Sequence, residues 1–432
     1  MVRASNLGTP GKQTGRPARW MGPNPKRTKA CSPEAPRVTG IAGTTAVLVG
    51  LLGVAVLVAL VAERLRVPSA VALVAFGAGT AAIHPVTLPF HFGDALLFVF
   101  LPPLIFEAAW SIDPAALRRT AVRIALLALP GVVLVAGSIG FGIALTGQLP
   151  LASAIVLGAI VSATDPVAVI AIFRRLHVPA DLLTIVEGES IANDGVAIVL
   201  YVLALAFASG TVVDSPSAEL LHAVLAVAGG IAIGIACAFV VGLIMGRTRS
   251  GSLEITATVV LAFLAYLSAD AVHFSGVFAT AAAGISLRAF ARIAPVTDNA
   301  DDVDAFWSAI AFIVNALLFL ATGLALQIGR IAAHPLLAFV AVVAVVASRA
   351  ILAALVIRPL AWRITVVFAG IRGGLSLALA LALPATLPHR DQIVDGVVTV
   401  VLFTLIVQGI ALEPLLERLG FHKGSGGPSL SS

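Results

Sequence analysis

Thirteen long apolar segments make up most of this 432-residue chain. Each is 17–27 residues long, the length that an α-helix needs to cross a bilayer. Hydrophobic residues form 59% of the chain and charged residues 11%, against about 45–50% and 25% in soluble domains. A soluble enzyme, a coiled coil and a disordered protein are therefore excluded, and the continuous runs do not indicate a β-barrel. The sequence predicts an all-α polytopic membrane protein with about thirteen transmembrane helices.

The predicted domain organisation has three parts. Residues 1–40 carry eight Lys/Arg and one acid with no apolar stretch, which indicates a disordered basic tail rather than a signal peptide. Met21 lies in this tail and is a second candidate start. Residues 41–418 form the transmembrane domain, and 419–432 a short cytoplasmic tail. The predicted spans are 41–62, 69–85, 94–110, 121–146, 151–173, 182–208, 218–244, 252–270, 275–291, 303–329, 335–361, 364–384 and 392–416.

Basic residues are concentrated in alternate loops. Loops on one side carry 15 Lys/Arg, whereas the opposite loops carry only Arg330 and Arg390. Because positive charge is retained in the cytoplasm, we expect the C-terminus to be cytoplasmic. The net charge of +5 is thus explained by topology, and no nucleic-acid partner is predicted. The basic tail does not fit this pattern, so either the start is misassigned or the tail is translocated.

An Asp-Pro pair interrupts the fifth segment. Pro166 lacks a backbone N–H and disfavours a helical conformation at Asp165, so we expect the helix to break there. Asp165 then caps the second half-helix, and Thr164 presents oxygen atoms to a cation. The alternative is a capping aspartate at a simple kink.

The sixth segment contains three carboxylates within eight residues. On a helix, Glu187, Ser190 and Asp194 share one face, and Glu189 and Asn193 share the next. Three carboxylates in a low-dielectric site cannot all be charged and unpaired, so a basic partner is expected. The alternative is a loop outside the membrane.

Other polar groups interrupt the third, tenth, eleventh and twelfth segments. Arg372, flanked by glycines, is the expected partner of a sixth-segment glutamate, and the alternative is that it extends to the headgroups. The same two possibilities apply to Arg349, whose motif is weaker. Glu107 follows two prolines and is a candidate ligand, gate or cap. Asn315 is expected to hydrogen-bond between helices. Charged groups at such depth cost about 2.5–3.5 kcal/mol each.

The fifth and twelfth segments cross the membrane in opposite directions, and both are interrupted. Such pairs are typical of transporters built from inverted repeats, whose discontinuous helices cross at the ion site. No P-loop and no metal-ligand cluster of Cys and His is found, so no cofactor is predicted. A gated channel and an intramembrane hydrolase are less favoured, because neither a filter motif nor a nucleophile–base pair is found.

Four motifs in order resemble the sodium/proton exchangers of the monovalent cation:proton antiporter superfamily. They are FLPPLIFE at 100–107, ATDPVAV at 163–169, EGES with ND at 187–194, and GIRG at 370–373. The resemblance implies a Na⁺/H⁺ antiporter of the bacterial inner (plasma) membrane, with thirteen helices, a mobile core domain and a homodimer. K⁺/H⁺ antiport is the alternative.

The resemblance also implies the roles of individual residues. Asp194 binds either the cation or the proton, Asn193 is its polar neighbour, and Glu189 forms a structural ion pair with Arg372. The site is completed by Thr164, Asp165, Ser190 and Glu107, and the expected Na⁺ ligands are Asp194, Ser190, Thr164 and Glu107.

The pair Asn193–Asp194 also predicts how many protons are exchanged for each Na⁺. A single carboxylate cannot hold Na⁺ and H⁺ together, so competition couples the two fluxes. Because Asn193 is neutral, Asp194 is the one carboxylate of this pair that Na⁺ and H⁺ neutralise in turn. The sequence therefore predicts electroneutral one-for-one exchange by alternating access.

Overall fold

The structure is a computed structural model that describes residues 41–65, 67–83, 96–210, 216–247, 250–293, 299–325 and 334–421. The helices are α1 (Ile41–Leu65), α2 (Ser69–Ile83), α3 (Leu101–Ser111), α4 (Pro114–Leu145), α5 (Leu151–Ser162), α6 (Val167–Arg175), α7 (Ala180–Ala208), α8 (Pro216–Met245), α9 (Gly251–Ala271), α10 (Gly276–Ile293), α11 (Ala300–Ala325), α12 (Pro335–Val356), α13 (Leu360–Phe368), α14 (Gly374–Leu381), α15 (Arg390–Phe403) and α16 (Gly409–Arg418). Five-residue π-helical segments precede α3 and α16.

Several predictions concern residues outside these ranges. The predicted tail at 1–40 and most of the predicted tail at 419–432 lie outside the described residues. Four of the basic loop residues also lie outside them, namely Arg66, Arg249, Arg330 and Lys423. The predicted boundaries of the transmembrane domain stay a prediction.

Each predicted apolar segment coincides with one helix or with consecutive helical pieces, so the all-α fold class is confirmed for the described part of the chain. Within it, nine helical stretches are long and apolar enough to cross a membrane. Three shorter apolar helices lie at Ser69–Ile83, Phe98–Ser111 and Gly276–Ala291. The number of membrane crossings stays a prediction.

Helix starts differ from the predicted ones where a cap or a proline sets them. α4 begins seven residues before the predicted span, because the Asp113 carboxylate accepts from the backbone N–H of Ala115 at 3.0 Å and Pro114 occupies the first turn. The two prolines of the third segment also lie in the first turn of α3, directly after the π-helical segment. They therefore lie where the backbone changes from π-helical to α-helical.

The fifth and twelfth segments are both broken, as predicted. Residues 163–166 separate α5 from α6, and residues 369–373 separate α13 from α14. The two breaks are in contact, since the backbone N–H of Asp165 donates to the carbonyl of Ile371 at 2.7 Å. We call this contact the crossing.

The helices pack mainly within two groups. The first group contains both broken segments together with α4, α7, α12, α15 and α16. The second group contains α1, α2, α3, α8, α9, α10 and α11. Contacts between the groups are sparser, and most of them join α3 and α10 to α7 and α11 to α14.

Close approach at the crossing requires glycine at position 373. A Cβ atom there would overlap the carboxylate of Asp165. Because the overlap includes Cβ of Asp165 as well as its carboxylate, rotation of the Asp165 side chain cannot relieve it, and the backbone must shift at the crossing.

We expect Gly373→Ala to lower the free energy of unfolding by about 3 kcal/mol, the upper end of the range for an overpacked core. The control is Gly137→Ala, which lies in α4 with open space around the added Cβ and should be neutral or slightly stabilising. Thermal unfolding of the purified variants in detergent measures both. Equal unfolding temperatures for the two variants would show that the crossing tolerates a side chain.

Candidate functional site

The carboxylate of Asp165 joins the N-termini of two half-helices. It accepts from the backbone N–H of Val167 at 3.1 Å, in the first turn of α6. It also accepts from the backbone N–H of Gly374, the first residue of α14. Each helix N-terminus carries a partial positive charge, so one carboxylate compensates both. Asp165 therefore caps the second half-helix as predicted, and α14 as well.

Two buried arginines donate hydrogen bonds to the backbone carbonyls at the C-terminal ends of α5 and α13. Arg372 donates through Nη1 to the carbonyls of Ser162 and Ala163, at 2.7 and 3.0 Å, where α5 ends. Arg349 donates through Nε to the carbonyl of Val366 at 2.9 Å, near the end of α13. These carbonyls lack helical partners, and a guanidinium supplies both hydrogen bonds and the favourable charge.

The predicted partner of Glu189 is corrected. Glu189 forms a two-pronged ion pair with Arg349, through Nη1 at 3.0 Å and Nη2 at 2.8 Å, and both side chains are buried. The predicted partner, Arg372, is instead engaged by the carbonyl end of α5. Helix-end carbonyls also accept hydrogen bonds from a guanidinium, and the sequence did not show which of the two arginines would face Glu189.

Hydrogen bonds among four side chains connect the broken fifth segment to α7. Asn193 donates through Nδ2 to Thr164 Oγ1 at 2.6 Å and to Glu189 Oε1 at 2.8 Å. Its Oδ1 accepts from the backbone N–H of Thr164 at 3.3 Å. Ser190 donates to the carbonyl of Thr164 at 2.5 Å, and the two hydroxyls are 3.0 Å apart. The network fixes the positions of the oxygen atoms of Thr164 and Ser190.

Asp194 differs from its neighbours because one of its oxygens is unsatisfied. Its Oδ1 is buried and has no hydrogen-bond partner among the described residues. Arg349 is engaged by Glu189 and Arg372 by carbonyls, so neither guanidinium forms an ion pair with Asp194. A buried carboxylate oxygen without a donor has a strong tendency to bind a cation or a proton.

These residues surround a cavity of about 80 Å³ at the crossing. It lies between the two helix groups, with α3 and α11 on one side and α6, α7 and α14 on the other. The polar side chains that line it are Glu107, Thr164, Asp165, Ser190, Asp194, Asn315 and Ser376. Thus five of the six predicted cation and proton residues face one cavity, and Asn193 holds the network behind it.

Glu187 does not face this cavity. It pairs with Arg174 of α6 at 3.6 Å and receives a hydrogen bond from Ser111 of α3. Of the three residues predicted to share one helix face, Ser190 and Asp194 line the cavity and Glu187 does not. Glu107 lines the cavity from α3.

Sequence reasoning missed two contributors to the site. Arg349 was the weaker of two candidate partners for a sixth-segment glutamate, because no glycines flank it, yet it is the counter-charge of Glu189. Its depth within an apolar segment was the available signal. Asn315 was expected to bond between helices, but its Nδ2 has no partner among the described residues and it lines the cavity.

The arrangement suits a small, hard cation. Every polar group that lines the cavity offers oxygen except the amide nitrogen of Asn315, and oxygen ligands are those preferred by alkali and alkaline-earth ions. In the described ranges, no group of three or more His, Cys, Asp or Glu is placed to hold a metal. Asp165 is committed to two helix N-termini, which leaves the carboxylates of Asp194 and Glu107 available to an ion in this cavity.

Comparison with known proteins agrees with this chemistry. Residues 52–418 match the family model described as "Sodium/hydrogen exchanger, transmembrane". The chain belongs to the sodium/hydrogen exchanger family. Like its relatives, which are named as antiporters, this sodium/hydrogen exchanger family member is a multi-pass membrane transporter rather than an enzyme.

Two relatives of this family member are similar over most of the chain. The Na⁺/H⁺ antiporter ApNhaP of Aphanothece halophytica is 36% identical over 380 residues, which are 85% of this chain and 73% of that protein. The Na⁺/H⁺ antiporter NhaH of Halobacillus dabanensis is 31% identical over 392 residues, 86% of this chain and 96% of that protein.

The fold of this exchanger family member is also found in a solved structure. The sodium/proton antiporter MjNhaP1 of Methanocaldococcus jannaschii matches with a TM-score of 0.75 over 87% of this chain and 98% of that chain, at 20% sequence identity. The match supports the all-α fold.

We expect Arg349→Ala to lower the free energy of unfolding by about 3–5 kcal/mol, because it leaves the buried Glu189 carboxylate without its counter-charge. The control is Arg175→Ala. Arg175 forms an ion pair with Glu413 and is 47% exposed, so its loss should cost about 0–1 kcal/mol. Thermal unfolding in detergent compares them, and equal destabilisation would contradict the assigned role of Arg349.

Proposed function

We propose that this protein exchanges Na⁺ for H⁺ across the membrane by competition of both ions for Asp194. The observation that carries the proposal is the unsatisfied Oδ1 of Asp194 in a cavity lined by oxygen atoms. A cation or a proton on that oxygen satisfies it, but both together would place two positive charges on one carboxylate. Each ion therefore displaces the other.

The proposed Na⁺ ligands are the carboxylates of Asp194 and Glu107 and the oxygens of Ser190 and Thr164. Ser190 and Thr164 are held by their mutual hydrogen bonds, so their oxygens need little rearrangement to bind an ion. Asp165 and Asn193 shape the site, because Asp165 is committed to two helix N-termini and Asn193 to Thr164 and Glu189.

Charge at the crossing supports exchange of one ion for one. Two arginines, Arg349 and Arg372, lie among three carboxylates there, Glu189, Asp165 and Asp194. Glu107 adds a fourth carboxylate from the second helix group, so the groups around the site carry an excess of two negative charges when all of them are charged. One Na⁺ or one H⁺ at Asp194 lowers this excess by the same single charge, so both loaded states carry the same charge.

The position of the cavity supports alternating access. It lies between the two helix groups, with Asp194, Ser190 and Thr164 on the first and Glu107 on the second. Apolar side chains such as Leu104, Leu318 and Leu375 pack beside it. Relative movement of the groups would open the cavity to either side without dismantling the crossing, which lies wholly within the first group.

The proposed setting follows from the loops and from the relatives. We assign the cytoplasmic side to the loops that carry most of the Lys and Arg, which places the C-terminus there. We propose that the protein acts in the bacterial plasma membrane as a homodimer, with Na⁺ and H⁺ as its substrates. We expect Li⁺ to be exchanged as well. Proton flux that depends on K⁺ instead of Na⁺ would indicate the alternative, K⁺/H⁺ antiport.

We expect Asp194→Asn to abolish Na⁺-dependent proton flux while the protein still inserts and purifies, because the amide cannot bind a proton or neutralise a cation. Proteoliposomes that contain a pH-sensitive dye measure the flux with Na⁺, Li⁺ and K⁺ in turn. The control is Asp181→Asn in the first turn of α7, which loses only a peripheral pair with Arg119 and should retain exchange. Na⁺-dependent flux in Asp194→Asn would remove Asp194 from the proposed role.

Exchange by the wild-type protein should be independent of membrane potential. A transported net charge would couple to about 2.3 kcal/mol per 100 mV, enough to shift the endpoint of ΔpH-driven Na⁺ movement about fiftyfold. Potassium and valinomycin clamp the potential in Na⁺/H⁺ assays of the same proteoliposomes. An endpoint that follows the imposed potential would reject one-for-one stoichiometry.

A further inference from the structure

A second unsatisfied polar atom lines the same cavity. Six buried side-chain nitrogen or oxygen atoms in the described part of the chain lack a hydrogen-bond partner. Two of them belong to residues that line the cavity, namely Oδ1 of Asp194 and Nδ2 of Asn315. One is an acceptor without a donor, and the other is a donor without an acceptor.

Asn315 comes from the wall opposite Asp194. It lies on α11 in the second helix group and is 6% exposed. Its neighbours on the same helix are apolar, and Leu318, one turn later, also lines the cavity. An apolar side chain at position 315 would complete this surface, so burial of an amide with an unpaired N–H₂ group calls for a partner inside the cavity.

We propose that Asn315 is a further residue of the ion site, an inference that rests on the proposed exchange function. When the site holds a cation, the side-chain carbonyl of Asn315 acts as a neutral oxygen ligand. When the cation has left, the amide N–H₂ group donates to the carboxylate of Asp194, directly or through one water. An amide can serve both states because rotation about its last side-chain bond exchanges oxygen and nitrogen.

The charged groups around Asn315 make a neutral side chain important. Glu107 of α3, Asp165 of the broken segment and Asp194 of α7 all line the cavity that it faces, and the buried guanidinium of Arg372 lies behind the crossing. A neutral ligand tightens cation binding without adding a negative charge. Asn315 thereby sets affinity while Asp194 sets the number of charges exchanged.

Asn315 also connects the ion to the second helix group. Thr164, Ser190 and Asp194 belong to the first group, whereas Glu107 and Asn315 reach the cavity from the second. The contact of Asn315 with the ion therefore requires the two groups to meet as they do here. Loss of the amide should weaken binding in this arrangement.

The test compares Asn315→Ala, the nearly isosteric Asn315→Asp and a control, Thr322→Ala, in proteoliposomes. Thr322 is a buried polar residue two turns further along α11 that does not line the cavity. We expect Asn315→Ala to raise KM for Na⁺ about tenfold, the loss typical of one hydrogen-bonding ligand, with kcat within about twofold. Thr322→Ala should keep the wild-type KM.

Asn315→Asp gives a readout that a structural role would not move. A fourth carboxylate at the cavity favours the proton over Na⁺, so the pH of half-maximal exchange should rise by about one unit. Thermal stabilisation by Na⁺ in detergent should show the same tenfold loss of affinity for Asn315→Ala as KM does. The thermal measurement needs only folded protein and no transport assay. If Asn315→Ala cannot be purified, the pH profile of Asn315→Asp tests the proposal.

The outcomes separate this inference from the proposed function. Wild-type KM and wild-type Na⁺ stabilisation in Asn315→Ala, or an unchanged pH profile in Asn315→Asp, would overturn the role of Asn315 while leaving Asp194 in place. A parallel loss of kcat in Asn315→Ala and Thr322→Ala at unchanged KM would likewise overturn it. A wild-type protein without Na⁺-dependent proton flux would instead overturn the proposed function and this inference with it.

Discussion

The bridge from the Asp165 carboxylate to the N-termini of α6 and α14 is the interaction on which the site depends. A broken helix within an apolar protein exposes backbone groups that would each cost several kcal/mol if left unpaired. Asp165 pairs two positive helix ends, and Arg372 and Arg349 pair two carbonyl ends. The breaks are thereby stable enough to place backbone and side-chain oxygens beside a cavity.

The pairing of the two arginines with helix ends and with Glu189 also explains why Asp194 is available to bind an ion. The arginines near it are used by helix ends and by Glu189, and Asn193 is held by Thr164 and Glu189. Nε and Nη2 of Arg372 also lack partners, but they are cationic donors, whereas Oδ1 of Asp194 is a buried acceptor without a partner among the described residues. In the proposed mechanism, the transported ions satisfy this oxygen in turn.

Much of this could be predicted from the sequence because the physical signals are local. Pro166 marks one break, the glycines around Arg372 mark the other, and the length of each apolar run gives its helix. The pairing of Glu189 could not be predicted in this way. Arg349 and Arg372 are both lone arginines in apolar segments, and only the tertiary packing of α12 places Arg349 at 2.8 Å from Glu189 of α7. The cavity-facing position of Asn315 likewise depends on how α11 is rotated, which its nearly uniform apolar neighbours do not reveal.

Proton release during Na⁺ binding tests the central claim most directly. Purified protein is titrated with NaCl in a calorimeter, in two buffers of different ionisation enthalpy, at a pH acidic enough for the site to begin protonated. Competition for Asp194 predicts one proton released for each Na⁺ bound, and no Na⁺-dependent heat in Asp194→Asn. Na⁺ binding without proton release, or proton-coupled Na⁺ binding that survives in Asp194→Asn, would contradict the account.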